Sequence, residues 1–197
     1  SGEIGNITYF DSVRVNLGLF QHDLNVIWDL ACHDLSILFH IMDERPNSVT
    51  ANGVDHFDSG YVDVAYLTLH YDIKMIANFH VNWLSPVKVR KILIGGTKKM
   101  IVYDDMESSE KIKVYNKGIK VNEPEDIHRL LLSYRLGEMV APNIQSTEAL
   151  ELEINNFIKQ INSDSRDSVN DLKHGLDMVE ILEVANQSLI RKEKLPL

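Results

Sequence analysis

Between Met75 and Trp83 the chain reads MIANFHVNW, with Met75, Ala77, Phe79, Val81 and Trp83 apolar and Asn78, His80 and Asn82 between them. Successive side chains of a strand point to opposite faces, so this alternation predicts a sheet with one apolar and one more polar face. Related stretches surround it: "NSVTANGV", "YVDVAYLTLHYD", "KVRKILIGG", "KKMIVYDD" and "KIKVYNKG". The short connections at 72–74, 95–97 and 107–109 predict hairpins, hence a largely antiparallel meander over residues 47–116. Residues Asn6–Val15, with Ile7, Tyr9, Phe10, Val13 and Val15, predict an opening strand. Residues 117–145 carry little pattern, although Tyr134 and Arg135 suit a further strand.

The helices bracket these strands. A helix over 26–42 follows Asp23 or Asn25 as N-cap and buries Ile27, Ala31, Leu35, Leu38 and Met42, stopping before Arg45-Pro46. Two more close the chain. Near Ser146–Ile161, Leu150, Ile154, Phe157, Ile158 and Ile161 share a face; near Val169–Ile190, Leu172, Leu176, Val179, Leu182 and Leu189 do. The class is α+β: a broad, mostly antiparallel sheet with helices packed on one face. The 197 residues, 44% hydrophobic and 25% charged, suffice for a real core in one domain.

Charge and cysteine content narrow the function. A formal charge of −9 argues against nucleic acid as the main partner, since such affinity comes from neutralising phosphates. Lys88, Arg90 and Lys91 form the densest basic cluster and read as a solvated strand end that blocks stray pairing. The single cysteine, Cys32, leaves no internal disulfide, and neither a secretory signal nor a membrane-spanning run is visible. A cytoplasmic protein is the expectation.

Within the first helix, Asp29, His33, Ser36 and His40 fall near one line, with apolar residues on both sides. A carboxylate facing an imidazole across one turn fixes the ring tautomer and raises its basicity, which suits proton transfer near neutral pH. The same spacing also describes a structural contact near a helix N-terminus, where Asp is favoured in any protein. A metal site from Cys32, His33 and His40 has less behind it. Cys32 and His33 point to different faces, and neither CxxC nor HExxH occurs. His70 and His80 sit in adjacent strands and are expected to form a cross-strand polar pair.

The stretch "NVIWDLACHDLSILFHIM" resembles the start of the C-terminal domain of the glucose–fructose oxidoreductase, inositol dehydrogenase and rhizopine-catabolism (Gfo/Idh/MocA) family, whose members carry DxxxH there, usually followed by Asp. "GEIGNITYFDSVRVNLGLFQ" is similar to that domain's junction and first strand, "NWLSPVKVRKILIGGTKKMIVYDD" to its central strands, and "HGLDMVEILEVANQSL" to its last helix. The resemblance implies a substrate-binding and oligomerisation domain over residues 1–197, with junction and first strand at 1–25. The DxxxH helix would span 26–42, the sheet 47–116 and the C-terminal helices 146–190. It also implies a preceding Rossmann domain that binds NAD or NADP. No GxGxxG follows a strand here and no Glu-Lys-Pro occurs, so the chain reads as a fragment, inactive alone and without cofactor-binding residues.

By the same resemblance His33 is the acid/base at a sugar hydroxyl and Asp29 its binding or orienting partner. The wording of "DSVRVNLGLFQ" and "WLSPVKVRK" is most similar to nucleotide-sugar and surface-polysaccharide members. Arg14, Asn16 and Gln21 precede the helix and are candidates for sugar hydroxyls or a diphosphate, as Arg makes bidentate anion contacts; the alternative is a capped surface loop. His174 is a further substrate-binding candidate, or else a helix cap. The expected partners are a sugar or nucleotide sugar and a second or fourth copy of the chain through the sheet face, where Tyr66, Tyr71, Phe79 and Trp83 offer aromatic area for core or interface. A non-catalytic sugar-binding or assembly module is the competing class. A metal-dependent hydrolase rests only on scattered histidines.

Overall fold

The computed structural model describes residues 2–18, 21–116, 118–120, 133–135, 137–144, 147–162 and 172–197. Strands β1 (Ile7–Leu17), β2 (Ser48–Val54), β3 (Val64–His70), β4 (Ile76–Asn82), β5 (Leu84–Gly96), β6 (Met100–Asp104) and β7 (Ile112–Tyr115) carry the main sheet. Two short edge strands, β10 (Met139–Val140) and β11 (Leu195–Pro196), extend it to the order β10-β7-β6-β5-β1-β4-β3-β2-β11. Strands β8 (Gly118–Lys120) and β9 (Ser133–Arg135) pair separately, so Tyr134 and Arg135 do lie in a strand.

The expected meander is split. Strands β2-β3-β4 and β5-β6-β7 are antiparallel runs, and β1 lies between them, parallel to β4 and antiparallel to β5. Local alternation cannot report a pairing made so far along the chain, which is why the expected order lacked this seam.

Helix α1 (Cys32–Ile41) follows a wider π-helical turn over Ile27–Ala31, and α3 (Leu172–Arg191) packs on β2 and α1. Their face of the sheet holds the core: Phe10, Leu67, Leu69, Ala77, Phe79, Val81 and Trp83 are buried beneath Ile27, Leu35, Leu38, Ile181 and Leu182. The Phe10 and Phe79 ring centroids stand 5.5 Å apart. Every apolar residue of the 75–83 alternation is buried, as its period requires. No helix among the described residues is long and apolar enough to cross a membrane.

The closing helices depart from expectation. In α3 the buried residues are Asp177, Ile181, Leu182, Ala185 and Ser188, while Leu172, Leu176 and Val179 are exposed. Small and polar residues line the contact because Ser188 is a tether: its Oγ accepts from the Ala51 amide at 2.9 Å and donates to the Glu193 carbonyl at 2.5 Å. Asp177 is likewise fixed by Arg45 at 3.2 Å. Helix α2 (Ala149–Asn162) has the expected stripe, yet Leu150, Ile154, Phe157, Ile158 and Ile161 are all exposed. The expected start of the last helix near Val169 lies outside the described residues.

The opposite sheet face is mixed. Thr68 Oγ1 donates to Asn78 Oδ1 and Asn78 Nδ2 to Asp11 Oδ1, both at 2.9 Å. Tyr66 stacks on His80 with centroids 4.4 Å apart and planes at 9°. His70 and His80 are not a pair: the register sets His70 against Ile76 and His80 against Tyr66, and His70 bonds Thr50 Oγ1 at 3.0 Å. Of the four aromatics considered for core or interface, Tyr71, Phe79 and Trp83 are core and Tyr66 is exposed.

Candidate functional site

The entry to α1 is built by Asn25, whose Oδ1 accepts from the amides of Ile27 at 3.0 Å and Trp28 at 3.3 Å. Its amide group also donates to Asn186 Oδ1 at 2.7 Å, which ties the helix start to α3. Of the two N-cap candidates, Asn25 therefore has the contact. The π-helical turn that follows is a geometry often found at functional sites.

Asp29 lies in that turn, and its Oδ2 accepts the Trp83 indole N–H at 2.7 Å. It is thus held by the sheet rather than by the imidazole one turn on. His33, Ser36 and His40 are exposed, so the polar line is solvated along most of its length. Protein atoms packed around the His33 ring nevertheless remove enough water to push its pKa below 6.5. The Arg14 and Arg90 guanidiniums press it the same way, and Asp34 and Asp29 oppose them less strongly. Cys32 is half-buried and its thiol pKa is raised, chiefly by burial. Among the described residues, no group of three or more His, Cys, Asp or Glu is placed to hold a metal ion.

Beneath His33 sits a buried polar node that sequence reasoning missed. Asp34 accepts Ser12 Oγ–H at 2.5 Å, Arg14 Nε–H at 3.1 Å to each oxygen, and Arg14 Nη2–H at 2.5 Å. Ser12, Arg14 and Asp34 are all buried. The Arg14 fork, expected to grip a substrate anion, is instead engaged by Asp34. Asn16 is half-buried, Gln21 is exposed, and His174 lies in the first turn of α3. A signal for the node was present. Asp34 falls on the helix's apolar stripe beside Leu35 and Leu38, and Arg14 follows Phe10 and Ser12 at the core-facing period of β1. A charge at such positions requires a partner.

A second cluster continues from the node. Arg90 stands directly across from Arg14 in the β1–β5 register, and its Nη1 reaches Asp105 Oδ2 at 3.4 Å. Asp105 Oδ1 accepts both Tyr103 O–H and Lys111 Nζ–H at 3.0 Å. Burial pushes the Asp105 carboxyl up, but the donors and charges of Lys111, Tyr103 and Arg90 hold it below the usual range. Tyr103 is pushed up to about 12, first by burial and then by Asp105.

Gly95-Gly96, the adjacent glycine pair of the sequence, is closely packed. A Cβ at Gly95 would lie 2.0 Å from a Tyr9 ring carbon and one at Gly96 would lie 2.2 Å from the Ile4 carbonyl oxygen, so protein already fills the space a phosphate would need.

The architecture is a nine-stranded mixed sheet with helices on one face, and the DxxxH helix lies over the strand pair that carries Arg14 and Arg90. Residues 1–102 match the model of the GFO/IDH/MocA C-terminal domain, and the chain belongs to that family. No curated protein sequence matches it closely enough to count as a relative. Among solved structures it is similar to a UDP-N-acetylglucosamine 3-dehydrogenase, GnnA, from Acidithiobacillus ferrooxidans (TM-score 0.76, 19% identity, 94% of this chain and 54% of that one). It is also similar to the WlbA dehydrogenase from Bordetella pertussis in complex with NADH and UDP-GlcNAcA (0.68, 16%, 100% and 56%). Scyllo-inositol dehydrogenase from Lactobacillus casei is a third (0.68, 16%, 99% and 56%). These likenesses establish the fold, and the chain spans little more than half the length of each.

Proposed function

We propose that this chain is the substrate-binding and subunit-contact half of an NAD(P)-dependent oxidoreductase acting on a hydroxyl or ketone of a sugar or nucleotide sugar. The observation that carries the reading is His33: an exposed imidazole on the DxxxH helix of a Gfo/Idh/MocA domain, its pKa lowered by partial desolvation and by the Arg14 and Arg90 guanidiniums. A neutral imidazole accepts the hydroxyl proton as the carbonyl forms, and its protonated form returns it in the reverse direction. NAD or NADP supplies the hydride chemistry and is assigned to a domain outside this chain, in keeping with the filled space at Gly95-Gly96. Asp29 then acts by fixing the turn that presents His33, through its bond to Trp83.

The nucleotide-sugar choice is supported by the GnnA and WlbA likenesses, and a soluble, cytoplasmic setting by the single unpaired cysteine. Self-association is supported by the open sheet face, where Val54, Tyr66, Ile76 and Val87 are each at least 40% exposed.

The test is turnover of UDP-sugars with NAD+ or NADP+ by the protein carrying its dinucleotide-binding half. His33→Asn is expected to lower kcat by ~10²–10⁴ with little change in cofactor affinity. Wild-type turnover in that variant would remove the proton-transfer role from His33.

A further inference from the structure

Arg14 and Arg90 face each other across the β1–β5 ladder on the helix-covered side of the sheet. Like charges directly opposite repel, so each arginine needs an anion. Arg14 has one in full: Asp34, buried and gripped through three donor contacts. Arg90 does not. Its contact to Asp105 is long, at 3.4 Å, and that carboxylate is shared with Lys111 and Tyr103, each at the shorter distance of 3.0 Å. Arg90 Nε is shut off from solvent and has no hydrogen-bond partner among the described residues. A secluded guanidinium N–H left without an acceptor is costly, and proteins keep few of them.

The charges do not balance either. Three permanent cations (Arg14, Arg90 and Lys111) meet two carboxylates, Asp34 and Asp105, in this connected cluster. The Arg90 and Lys111 side chains keep 36% and 37% of their surface exposed, so the excess positive charge is reachable from solvent. Arg90 also bears electrostatically on His33, the proposed proton acceptor.

We propose that Arg90, with Lys111, forms a subsite for an oxyanion carried by the sugar substrate, a carboxylate or a phosphate, and thereby orients the sugar ring toward His33. The proposal rests on the sugar-oxidoreductase reading and deepens it. An oxyanion arriving at the exposed part of the Arg90 side chain supplies a further acceptor for the guanidinium and restores charge balance, while Asp105 remains with Lys111 and Tyr103. Arg14 positions α1 and is not the anion ligand.

The experiment is a nuclear magnetic resonance titration of the 197-residue chain with D-glucuronate, D-glucose 1-phosphate and neutral D-glucose, following the Arg90 Nε–H and His33 ring signals. At least one anionic sugar is expected to bind tenfold or more tightly than glucose, and whichever does identifies carboxylate or phosphate as the group read. Arg90→Gln and Lys111→Gln are each expected to weaken that binding at least fivefold. Arg90→Gln removes one member of a repelling pair and is expected to melt no lower than wild type. Arg90→Lys, which keeps the charge but not the fork, controls for a purely long-range effect and is expected to recover only part of the affinity. Equal binding of glucose and both anions overturns the subsite while leaving the sugar-binding reading standing. No saturable response to any of the three sugars, or anion binding unchanged by Arg90→Gln, also overturns it. Anion binding lost in Arg90→Gln, in a protein whose turnover ignores His33→Asn, upholds the subsite and sinks the acid/base reading instead.

Discussion

Truncating Asp34 to Ala isolates the energetics of the node beneath the DxxxH helix. The substitution strands the Arg14 guanidinium, which is 8% exposed, without its carboxylate. Removing one partner of a buried pair costs about 3–5 kcal/mol, because the remaining charge stays desolvated. For a chain of this length each kcal/mol lowers Tm by about 2–4 °C, so the expected drop is roughly 6–20 °C. Asp34→Asn keeps the shape but offers the Arg14 fork one acceptor oxygen and an opposing NH2, so it is expected to recover little. Removing both charges behaves differently: Arg14→Met with Asp34→Leu abolishes the desolvation cost with the attraction. The pair is expected within ~2 kcal/mol of wild type once Ser12→Ala removes the hydroxyl that loses its acceptor. Urea unfolding followed by circular dichroism and by the fluorescence of Trp28 and Trp83 gives each value, and agreement of the two probes checks two-state behaviour. A loss below 1 kcal/mol in Asp34→Ala, or single effects that simply add in the double variant, would refute the account of a coupled buried pair.

Gly95→Ala should cost about 1–3 kcal/mol, because its Cβ would meet the Tyr9 ring 2.0 Å away; in a Tyr9→Ala background thermal melts should show most of that penalty gone. Acid should destabilise the fold in two stages. His33, His70 and His80 have folded pKa values lowered below 6.5, chiefly by burial, so the unfolded chain takes up protons first and stability falls as pH drops through 6.5 toward those lower values. Asp55, Asp104 and Asp105 are held below 3.8, so their contribution goes only as pH falls below 3.8; urea midpoints that stay flat from pH 7.5 to 5 would contradict the histidine stage. Light scattering at tens of micromolar should return a dimer or tetramer, as an interface of ordinary size would give, and Tyr66→Lys should shift it toward monomer; a clean wild-type monomer would end the sheet-face proposal.

How much of this was legible in the sequence varies with the range of the interaction. The burial of Met75, Ala77, Phe79, Val81 and Trp83 follows from a local period of two, and that of Ile27, Leu35 and Leu38 from the helical repeat. What failed was set by distant parts of the chain. The seat of β1 between β4 and β5 depends on residues far downstream. The buried side of α3 is chosen by the Ser188 tether to β2 and by Asp177 meeting Arg45, so apolar Leu172 and Leu176 lose to Ala185 and Ser188. At the site, spacing drew attention to Asp29 and His33, whereas the partner of Asp29 is Trp83, 54 residues away. Arg14 was noticed for the right chemistry, a bidentate grip on an oxyanion, but the anion is the protein's own Asp34.

The seating of β1 also bears on how the chain is made. Asp11 meets Asn78 across 67 residues of sequence, and Thr8 meets Gly95 across 87. A ribosome adding about 5–20 residues per second therefore delivers β1 roughly 3–13 s before the first of its flanking strands exists. Throughout that interval a strand bearing Ile7, Tyr9, Phe10 and Val13 has no partner at either edge, and Arg14 has no β5 opposite it. The β2-β3-β4 hairpins can close as they emerge, but the seam between the two halves waits for Gly96. Nascent chains released before that point would hold half a sheet and an open strand. For them, and not for the finished protein, a chaperone that masks extended apolar segments becomes a requirement.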